Sequence, residues 1–328
     1  MAERSAITQG VQLGVESTPG SNVAADKKLN SIGLGPAVNV DMQRFRATGN
    51  KFATVVTPGK EWVEADVEGV GSYTELTYLL ASVLKDPGAP VQQGATTAYL
   101  WTFAPATSSE DTVKTFTVEQ GGAIRAHKFN YGIVTELEID MSRDGVELSG
   151  AMLGQRLSDA IALTGGPTTI EEKPILPTHI DVYLDTTSGG LGGTKLTRVL
   201  NANISIGDRF NPVWVLNSAN NSFVAHVEAE PSAQLKLLVE ADSQGMALLT
   251  TMRAGTTQFA RVKATHTDLA GTAIPYSLTW DCAVKVAEVG EFTDEDGVYA
   301  IEWTFDMIHD GTWGKAMTVA LINKLTAL

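Results

Sequence analysis

Several residue types that can do chemistry occur in this 328-residue sequence, but their spacing matches no familiar kind of site. The histidines are scattered, at spacings that suit neither a zinc site nor a catalytic triad. They are His127, His179, His226, His266 and His309. A cluster of histidines that forms only when the chain folds remains the alternative. The Gly-x-Ser-x-Gly elbow of serine hydrolases does not occur. We therefore expect no enzyme activity, no cofactor and no metal.

Two short motifs resemble ligand-binding loops in part. Asp294-Glu-Asp-Gly297 looks like the start of a calcium loop, but it lacks the alternating ligands and the closing glutamate of an EF-hand. A hairpin turn is the simpler interpretation, with calcium as the alternative. Gly189-Gly-Leu-Gly-Gly-Thr-Lys195 lacks the Gly-Lys-Ser/Thr order of a phosphate loop, and no long helix follows it. This second motif predicts a flexible turn.

The first of these motifs lies in a stretch that the chain writes twice. Gly132 to Gly150 holds two alternating runs joined by a polar turn that ends in Asp-Gly-Val, and Ala283 to Thr304 repeats the arrangement. Alternation with a period of two predicts half-buried strands, and the Asp-Gly pairs predict left-handed hairpin turns. Asp144-Gly145 and Asp296-Gly297 are 152 residues apart, a little under half the chain. This spacing predicts two tandem copies of one domain.

Further matches extend the two copies upstream in the same order: a strand, a long polar excursion, a strand, a helix and a third strand. The matched stretches are Val38–Phe45 with Asn203–Phe210, Trp62–Glu68 with Gln234–Glu240, Ser72–Leu84 with Asp242–Arg253, and Ala98–Phe103 with Gln258–Lys263. Ser72 and Glu75 predict a capping box at the first helix. Asp242 and Gly255 predict the start and the end of the second helix.

Charge and composition argue against several classes of protein. Acidic residues outnumber basic ones by 38 to 24, and the net charge of −14 argues against binding nucleic acid by neutralising phosphates. No apolar run is long enough to span a bilayer, and the first residues lack the apolar core of a signal peptide. The lone Cys282 permits no intrachain disulfide, and its strand pattern predicts a small buried side chain.

Three parts of the chain together resemble a phage tail tube protein, the major tail protein of a long-tailed, siphovirus-type phage, in a tandem-duplicated form. The N-terminal arm, the step from strand to helix and the hairpin carry the resemblance, which covers most of the chain. The stretches are Gln12–Ser21 with Val23–Leu29, then Gly71–Leu80, then Asn130–Leu137 with Asp144–Met152. None of these motifs is catalytic.

The resemblance implies a mainly β fold with two tail-tube-type β-sandwich or barrel domains, each flanked by one short helix. We place an N-terminal arm at 1–36, the first β-domain at 37–155 and a linker with one strand, His179–Asp185, at 156–196. The second β-domain follows at 197–309, and a C-terminal arm at 310–328. Both arms are expected to be extended, with a lone strand as the alternative for the first. The apolar tail from Ala316 to Leu328 is expected to pack on its own domain or on a neighbouring subunit.

The resemblance also implies a structural virion protein whose rings stack into the tail tube, a passive conduit for DNA ejection. Three duplicated chains would form a pseudo-hexameric ring, and a ring of six chains is the alternative. The implied partners are further copies of the chain, the tape measure protein and the tail terminator and tip proteins. DNA would pass through the lumen without specific binding, in a virion assembled in the host bacterial cytoplasm without a membrane.

Physical reasoning agrees with this assembly and indicates its surfaces. An open β-domain leaves unpaired strand edges, which pairing between subunits would remove. The excursions after the two Arg-Phe pairs contain apolar residues that a solvated loop does not need. They predict ring-stacking contacts at Phe45, Val55, Val56, Trp62, Phe210, Val213, Trp214 and Leu216.

Three carboxylates of the first hairpin, Glu136, Glu138 and Asp140, would repel phosphate if they faced the lumen. A merely solvated face is the alternative. A second class of function also stays open, a tandem β-sandwich module for adhesion or carbohydrate binding. Such a module would favour exposed aromatic platforms.

Overall fold

The protein is described by a computed structural model that covers residues 9–122, 124–216 and 220–328, apart from the side chains of residues 243–245. The expected mainly β fold is confirmed, since strands hold 56% of the residues and helices 7%. Long strands alternate between buried and exposed side chains, because one face of the sheet packs inward and the other faces solvent.

The described strands and helices follow one another with short connections. The strands are β1 (Gly10–Val15), β2 (Lys27–Leu29), β3 (Ile32–Phe45), β4 (Val55–Val70), β5 (Val91–Gln92), β6 (Tyr99–Phe103), β7 (Phe116–Gly121), β8 (Ala126–Met141), β9 (Val146–Gly154), β10 (Ser158–Ile161), β11 (Thr168–Thr169), β12 (Ile180–Asp185), β13 (Lys195–Leu196), β14 (Val199–Gly207), β15 (Phe210–Val213), β16 (Ala225–Glu228), β17 (Ser232–Glu240), β18 (Gln258–Gly271), β19 (Ile274–Glu295), β20 (Val298–Met307) and β21 (Met317–Asn323). The helices are α1 (Leu76–Val83) and α2 (Ser243–Ala254). Neither described helix has the length and apolar composition needed to cross a membrane.

One order of strand pairing occurs in both halves of the chain. In the first half β3, β4, β9 and β8 lie side by side, and β7 pairs with the N-terminal part of β8. In the second half β14, β17, β20, β19 and β18 pair in the same way. The flanking strands correspond as well, because β2–β1–β7 matches β13–β12–β18, and β10 on β8 matches β21 on β19.

This pairing corrects one correspondence drawn from the sequence. β6, which lies in the stretch that we matched with β18, pairs with β21 of the second half. The strand in the place of β18 is β7, because each lies beside the N-terminal part of the long strand that leads into the hairpin. β7 escaped prediction because nearly all of its residues are buried, so it has no alternation to detect.

The described ends of the chain belong to the sheet and do not extend as free arms. β1 lies in the expected N-terminal arm, but it pairs with β7 and buries Val11 and Leu13. β21 lies in the expected C-terminal arm and packs on the chain itself, between β19 and β6, which is one of the two placements expected for the apolar tail. Both strands carry apolar side chains, whose burial favours packing over extension into solvent. Residues 1–8 lie outside the described part of the chain.

The second hairpin turn has the predicted geometry. Glu295 and Val298 pair across a two-residue loop of Asp296 and Gly297. The φ angles of these loop residues are 54° and 81°, which is the left-handed conformation that a tight hairpin requires. The calcium-like motif is therefore part of a hairpin turn.

The first hairpin turn does not have the predicted geometry. Met141 pairs with Val146, and the N–H of Ser142 donates to the carbonyl of Gly145 across a longer loop. Neither Asp144 nor Gly145 has a positive φ. The predicted left-handed turn is wrong here, because a loop of this length closes without it.

The predicted capping box of the first helix is also wrong. α1 begins at Leu76, and no side chain caps its N-terminus. The Glu75 carboxylate instead accepts hydrogen bonds from the backbone N–H groups of Asn30 and Ser31, at 2.7 and 2.9 Å. These two N–H groups lie between β2 and β3. They bind the Glu75 carboxylate, which in a capping box would instead accept a hydrogen bond from the backbone N–H of Ser72. α1 is buried on every side.

The limits of the second helix are confirmed. The N–H of Met246 donates to the carbonyl of Asp242 at 3.0 Å, which places Asp242 at the start of α2. Gly255 follows the helix with a φ of 61°, and its N–H donates to the carbonyl of Met252. Glycine suits this position because it adopts the left-handed conformation without a steric penalty.

The two halves are joined through β8 and β14. Ile139 lies opposite Ile204, and Leu137 opposite Ile206, in an antiparallel register. The sheet is therefore continuous in the order β3–β4–β9–β8–β14–β17–β20–β19. All four of these isoleucine and leucine side chains are buried on the inner side of the sheet.

Candidate functional site

The outer side of the continuous sheet is acidic. Glu136, Glu138 and Asp140 lie on it, where they alternate with buried residues of β8. The pairing adds carboxylates from β4, β9, β19 and β20 to the same side. This acidic face comprises the carboxylates Glu64, Asp66, Glu68, Glu136, Glu138, Asp140, Glu147, Glu288, Glu295, Glu302 and Asp306, with the lysines Lys60, Lys236 and Lys285. Eleven carboxylates against three lysines make a surface that repels a polyanion.

Asparagine side chains of β14 hold the central carboxylates in place across the joint between the halves. Asn203 Nδ2 donates to Glu138 Oε1 at 2.5 Å and to Asp140 Oδ1 at 3.3 Å. Asn201 Nδ2 donates to Asp140 Oδ1 at 3.0 Å. Neutral amides orient the carboxylates without adding positive charge, so the face keeps its negative potential.

A two-stranded ribbon projects from one end of the sheet. It is formed by residues 37–60 of β3 and β4, and every residue from 41 to 58 is exposed. The excursion predicted after Phe45 is therefore mostly strand, because β4 already begins at Val55. The large exposed apolar residues of the ribbon are Val38, Met42, Phe45, Phe52, Val55 and Val56. A two-stranded ribbon is marginally stable in water by itself, and its exposed apolar side chains suit a partner.

The ribbon also differs in charge from the rest of the chain. Arg44, Arg46 and Lys51 against Asp41 give residues 41–58 a charge of +2, in a chain whose net charge is −14. The tip of the ribbon is therefore complementary to the remaining surface of another copy.

The corresponding excursion of the second half folds back onto the first half. β15 and β16 form a hairpin, and Phe210 lies in an apolar cluster with Phe223 and Tyr131 of β8. Trp62 and Trp214 pack against this cluster, with ring centroids 5.7 Å apart and ring planes nearly perpendicular. Phe210 is buried inside the chain, which corrects its prediction as a ring-stacking contact.

The other predicted residues of this excursion are less buried. Val213 pairs with Ala225 and is partly exposed, as is Trp214. Leu216 is fully exposed at the tip of the hairpin. Residues 217–219 of the predicted excursion lie outside the described residues. The structure thus brings Phe45, Val55 and Val56 together on the ribbon, whereas Trp62 lies apart from them, beside Trp214 and the cluster that contains Phe210.

Arg209 anchors the folded-back hairpin, and sequence reasoning did not identify it. Its guanidinium is buried and forms ion pairs with Asp111, at 2.9 Å, and with Glu228. Its Nε and Nη2 donate to the carbonyls of Val83 and Leu84 at the end of α1, at 3.2 and 3.0 Å. These carbonyls have no partner within the helix, so Arg209 satisfies groups that would otherwise be buried without a bond.

Two of the scattered histidines come close together in the folded chain. The rings of His179 and His266 have centroids 4.5 Å apart, and Tyr73 Oη lies 3.3 Å from His179 Nδ1. Burial and the nearby His266 lower the pKa of His179. Within the described residues no group of three or more His, Cys, Asp or Glu side chains is arranged to hold a metal ion.

The remaining motifs have structural partners. The Asp185 carboxylate accepts from the backbone N–H groups of Gly192, Gly193 and Thr194, at 2.9 to 3.2 Å, so this glycine-rich loop already binds an anion of its own chain. Cys282 is buried in β19, and burial raises the pKa of its thiol. A buried neutral thiol is a poor nucleophile.

No protein-family model matches the chain, and no curated protein has a significantly similar sequence.

Proposed function

We propose that the chain is a structural protein of a phage tail, which assembles into stacked rings around a lumen that conducts DNA. The observation that carries this proposal is the acidic face, which continues across both halves of the chain on one sheet. A wall of this kind would repel phosphate and let DNA slide without specific contacts. The resemblance stated from the sequence gives the same function.

The repeated pairing order supports an assembly of equivalent units. The two halves use the same strands in the same order, which fits two tandem copies of one domain. Three such chains would supply six units to a ring, and six chains would supply twelve. Lumen-facing positions for Glu136, Glu138 and Asp140 belong to this proposal.

The ribbon supports stacking of one ring on the next. It projects from the end of the sheet opposite to the tip of the β8–β9 hairpin, because β3 and β8 run in opposite directions. Phe45, Val55 and Val56 would bury their side chains against the adjoining ring. Further partners from the resemblance, the tape measure, terminator and tip proteins, would meet the same tube.

Electron microscopy of the concentrated protein tests the proposal. We expect stacked rings with threefold or sixfold symmetry, and single rings from the variant with Phe45→Asp and Val55→Asp. Val91→Asp is the matched control, since Val91 is also exposed but lies on β5, away from the ribbon. A chain that stays monomeric at high concentration by light scattering would refute the proposal.

A second candidate function has one observation in its favour. Trp62 and Trp214 border a groove together with Lys60, Glu64 and Asp208, and aromatic rings beside carboxylates suit carbohydrate binding. The two indoles pack edge to face on each other, so neither offers a free flat platform. Binding of the monomer to a glycan array, abolished by Trp214→Ala, would favour this candidate over the tube.

A further inference from the structure

The joint between the two halves uses one strand of each half and leaves the corresponding strands free. β8 of the first half pairs with β14 of the second. By the repeated pairing order, β19 corresponds to β8, and β3 corresponds to β14. Among the described residues β3 pairs with β4 alone, and residues 285–295 of β19 pair with β20 alone. The two edge strands of the continuous sheet, β3 and β19, are thus equivalent to the two strands that pair at its middle, β14 and β8.

Inner residues of the free β3 edge are exposed where their counterparts at the joint are buried. Val38 lies opposite Val63, and Ile204 lies opposite Leu235, so Val38 and Ile204 occupy equivalent places. Ile204, at the joint, is 2% exposed, whereas Val38 is 48% exposed. Ile204 is less exposed than Val38 because β8 and the β8–β9 hairpin pack beside β14, whereas no strand packs beside β3 at this edge within the described residues.

The free edge of β19 shows the same contrast. Leu137 and Leu148, on the inner side of the β8–β9 hairpin, are each 2% exposed. Phe292 and Tyr299, on the inner side of the β19–β20 hairpin, are 46% and 61% exposed and stack on each other with centroids 4.5 Å apart. Large aromatic residues at a solvent-exposed strand edge are a liability unless a partner covers them.

A polar group of β3 is also left without a partner. Asn39 Nδ2 is shielded from solvent, and none of the described residues accepts a hydrogen bond from it. Its counterpart at the joint, Ser205, lies opposite Glu138. A strand paired to β3 in the register of the joint would bring a polar side chain next to this amide.

We propose that the free edge of β19 pairs antiparallel with β3 of a second copy, in the register of the joint between β8 and β14. In this register Ala37 lies opposite Glu295, and Asn39 opposite Thr293. The contact is heterologous, because one copy supplies β19 and the other supplies β3, so copies add head to tail until the ring closes. The closure of the ring rests on the proposed function, whereas the register is taken from the pairing of β8 with β14 within the chain.

Disulfide crosslinking of the full chain tests the register. In the variant with Ala37→Cys and Glu295→Cys, directly opposite residues would have Cα atoms about 4.5–5.5 Å apart, which a disulfide spans. Native Cys282 is buried and does not compete. We expect oxidation to link chains into a closed multimer on a non-reducing gel. A mixture of the two single variants should give dimers only, because each chain then carries one new cysteine.

A matched control shifts one cysteine by two residues. The variant with Ala37→Cys and Thr293→Cys keeps both side chains on one face but separates them by about 7–8 Å, so it should link on the order of tenfold more slowly. Dimers formed by Ala37→Cys alone would indicate a symmetric contact and overturn the proposal. Rings in micrographs without links in the first variant would refute the joint but leave the proposed function. A monomer in every measurement would refute both.

A second pair of variants tests the apolar contribution. Val38→Asp and Phe292→Asp change residues that are exposed in the single chain, so the variants should fold. We expect each to need on the order of tenfold more protein for assembly than the control Val91→Asp. Assembly at the concentration of the control would exclude these side chains from the contact.

Discussion

Removal of Arg209 is the most informative perturbation of the boundary between the halves. The buried guanidinium of this second-half residue joins four groups of other segments: two carboxylates and two carbonyls. They are the carboxylates of Asp111 and Glu228 and the carbonyls of Val83 and Leu84. Arg209→Met fills a similar volume but removes the charge and all five donors of the guanidinium. The buried Asp111 carboxylate then loses its closest cation.

The expected loss of stability follows from the remaining partners of Asp111. Breaking a buried ion pair by removing one partner costs about 3–5 kcal/mol. Lys85 Nζ stays 3.3 Å from Asp111 and the N–H of Ala106 still donates to its carboxylate, which favours the lower value, about 3 kcal/mol. An unfolding entropy of about 2.1 cal/mol/K per residue over 328 residues is about 0.7 kcal/mol/K, so the melting temperature should fall by about 4 °C.

Calorimetry and urea unfolding of the isolated chain measure this change. Arg125→Met is the matched control, because Arg125 pairs with Asp159 at a site where both side chains are at least half exposed. Exposed ion pairs contribute less than about 1 kcal/mol. Adding Asp111→Asn to Arg209→Met should recover part of the loss, since it removes a buried charge that Lys85 alone then compensates. A loss for Arg209→Met no larger than that of the control would refute the reasoning.

Three further measurements test other features of the fold. Burial lowers the pKa of His226, so as the pH drops below about 6.5 the unfolded chain takes up a proton at this imidazole before the folded chain does, and the free energy of unfolding falls. His226→Asn should flatten this slope in urea titrations between about pH 7 and about pH 5. Gly297→Ala should cost about 1 kcal/mol in urea unfolding because its φ is 81°, whereas Gly145→Ala, without a positive φ, should stay within about 0.5 kcal/mol. Asn323→Leu should lower the free energy of unfolding by about 2–3 kcal/mol in the same assay, because it leaves the indole N–H of Trp101 and the carbonyl of Tyr73 buried without a partner.

The repeated order of strands could be predicted because alternation survives where residue identity does not. The hairpins and the strands before the helices each have one buried and one exposed side, so period two is visible in the sequence. β1 could not be predicted as a sheet strand, because polar residues are buried at its C-terminal end and in the segments packed around that end. The Glu16 carboxylate accepts from the hydroxyls of Thr115 and Thr117 and from the N–H of Tyr131, about a hundred residues away, and no local pattern shows such partners.

The candidate surfaces were predictable to different degrees. Alternation alone places Glu136, Glu138 and Asp140 on one side of β8, but the width of the acidic face depends on strand pairing between distant segments. The apolar residues after Phe45 and Phe210 look alike in the sequence. In the structure the first excursion is an exposed ribbon, and the second packs against the first half. This difference depends on Arg209, whose partners come from α1, a loop and β16, so only the folded chain distinguishes the two excursions.

The unequal excursions have a consequence for how such a chain can vary. In an assembly of identical single units every substitution appears in each unit, whereas in this chain it appears in one half only. Residues 37–60 keep apolar side chains exposed, while the excursion of the second half buries Phe210 and Phe223 against the first half. Mutations can therefore alter the protruding ribbon without weakening the boundary between the halves, and each surface is free to evolve at its own rate.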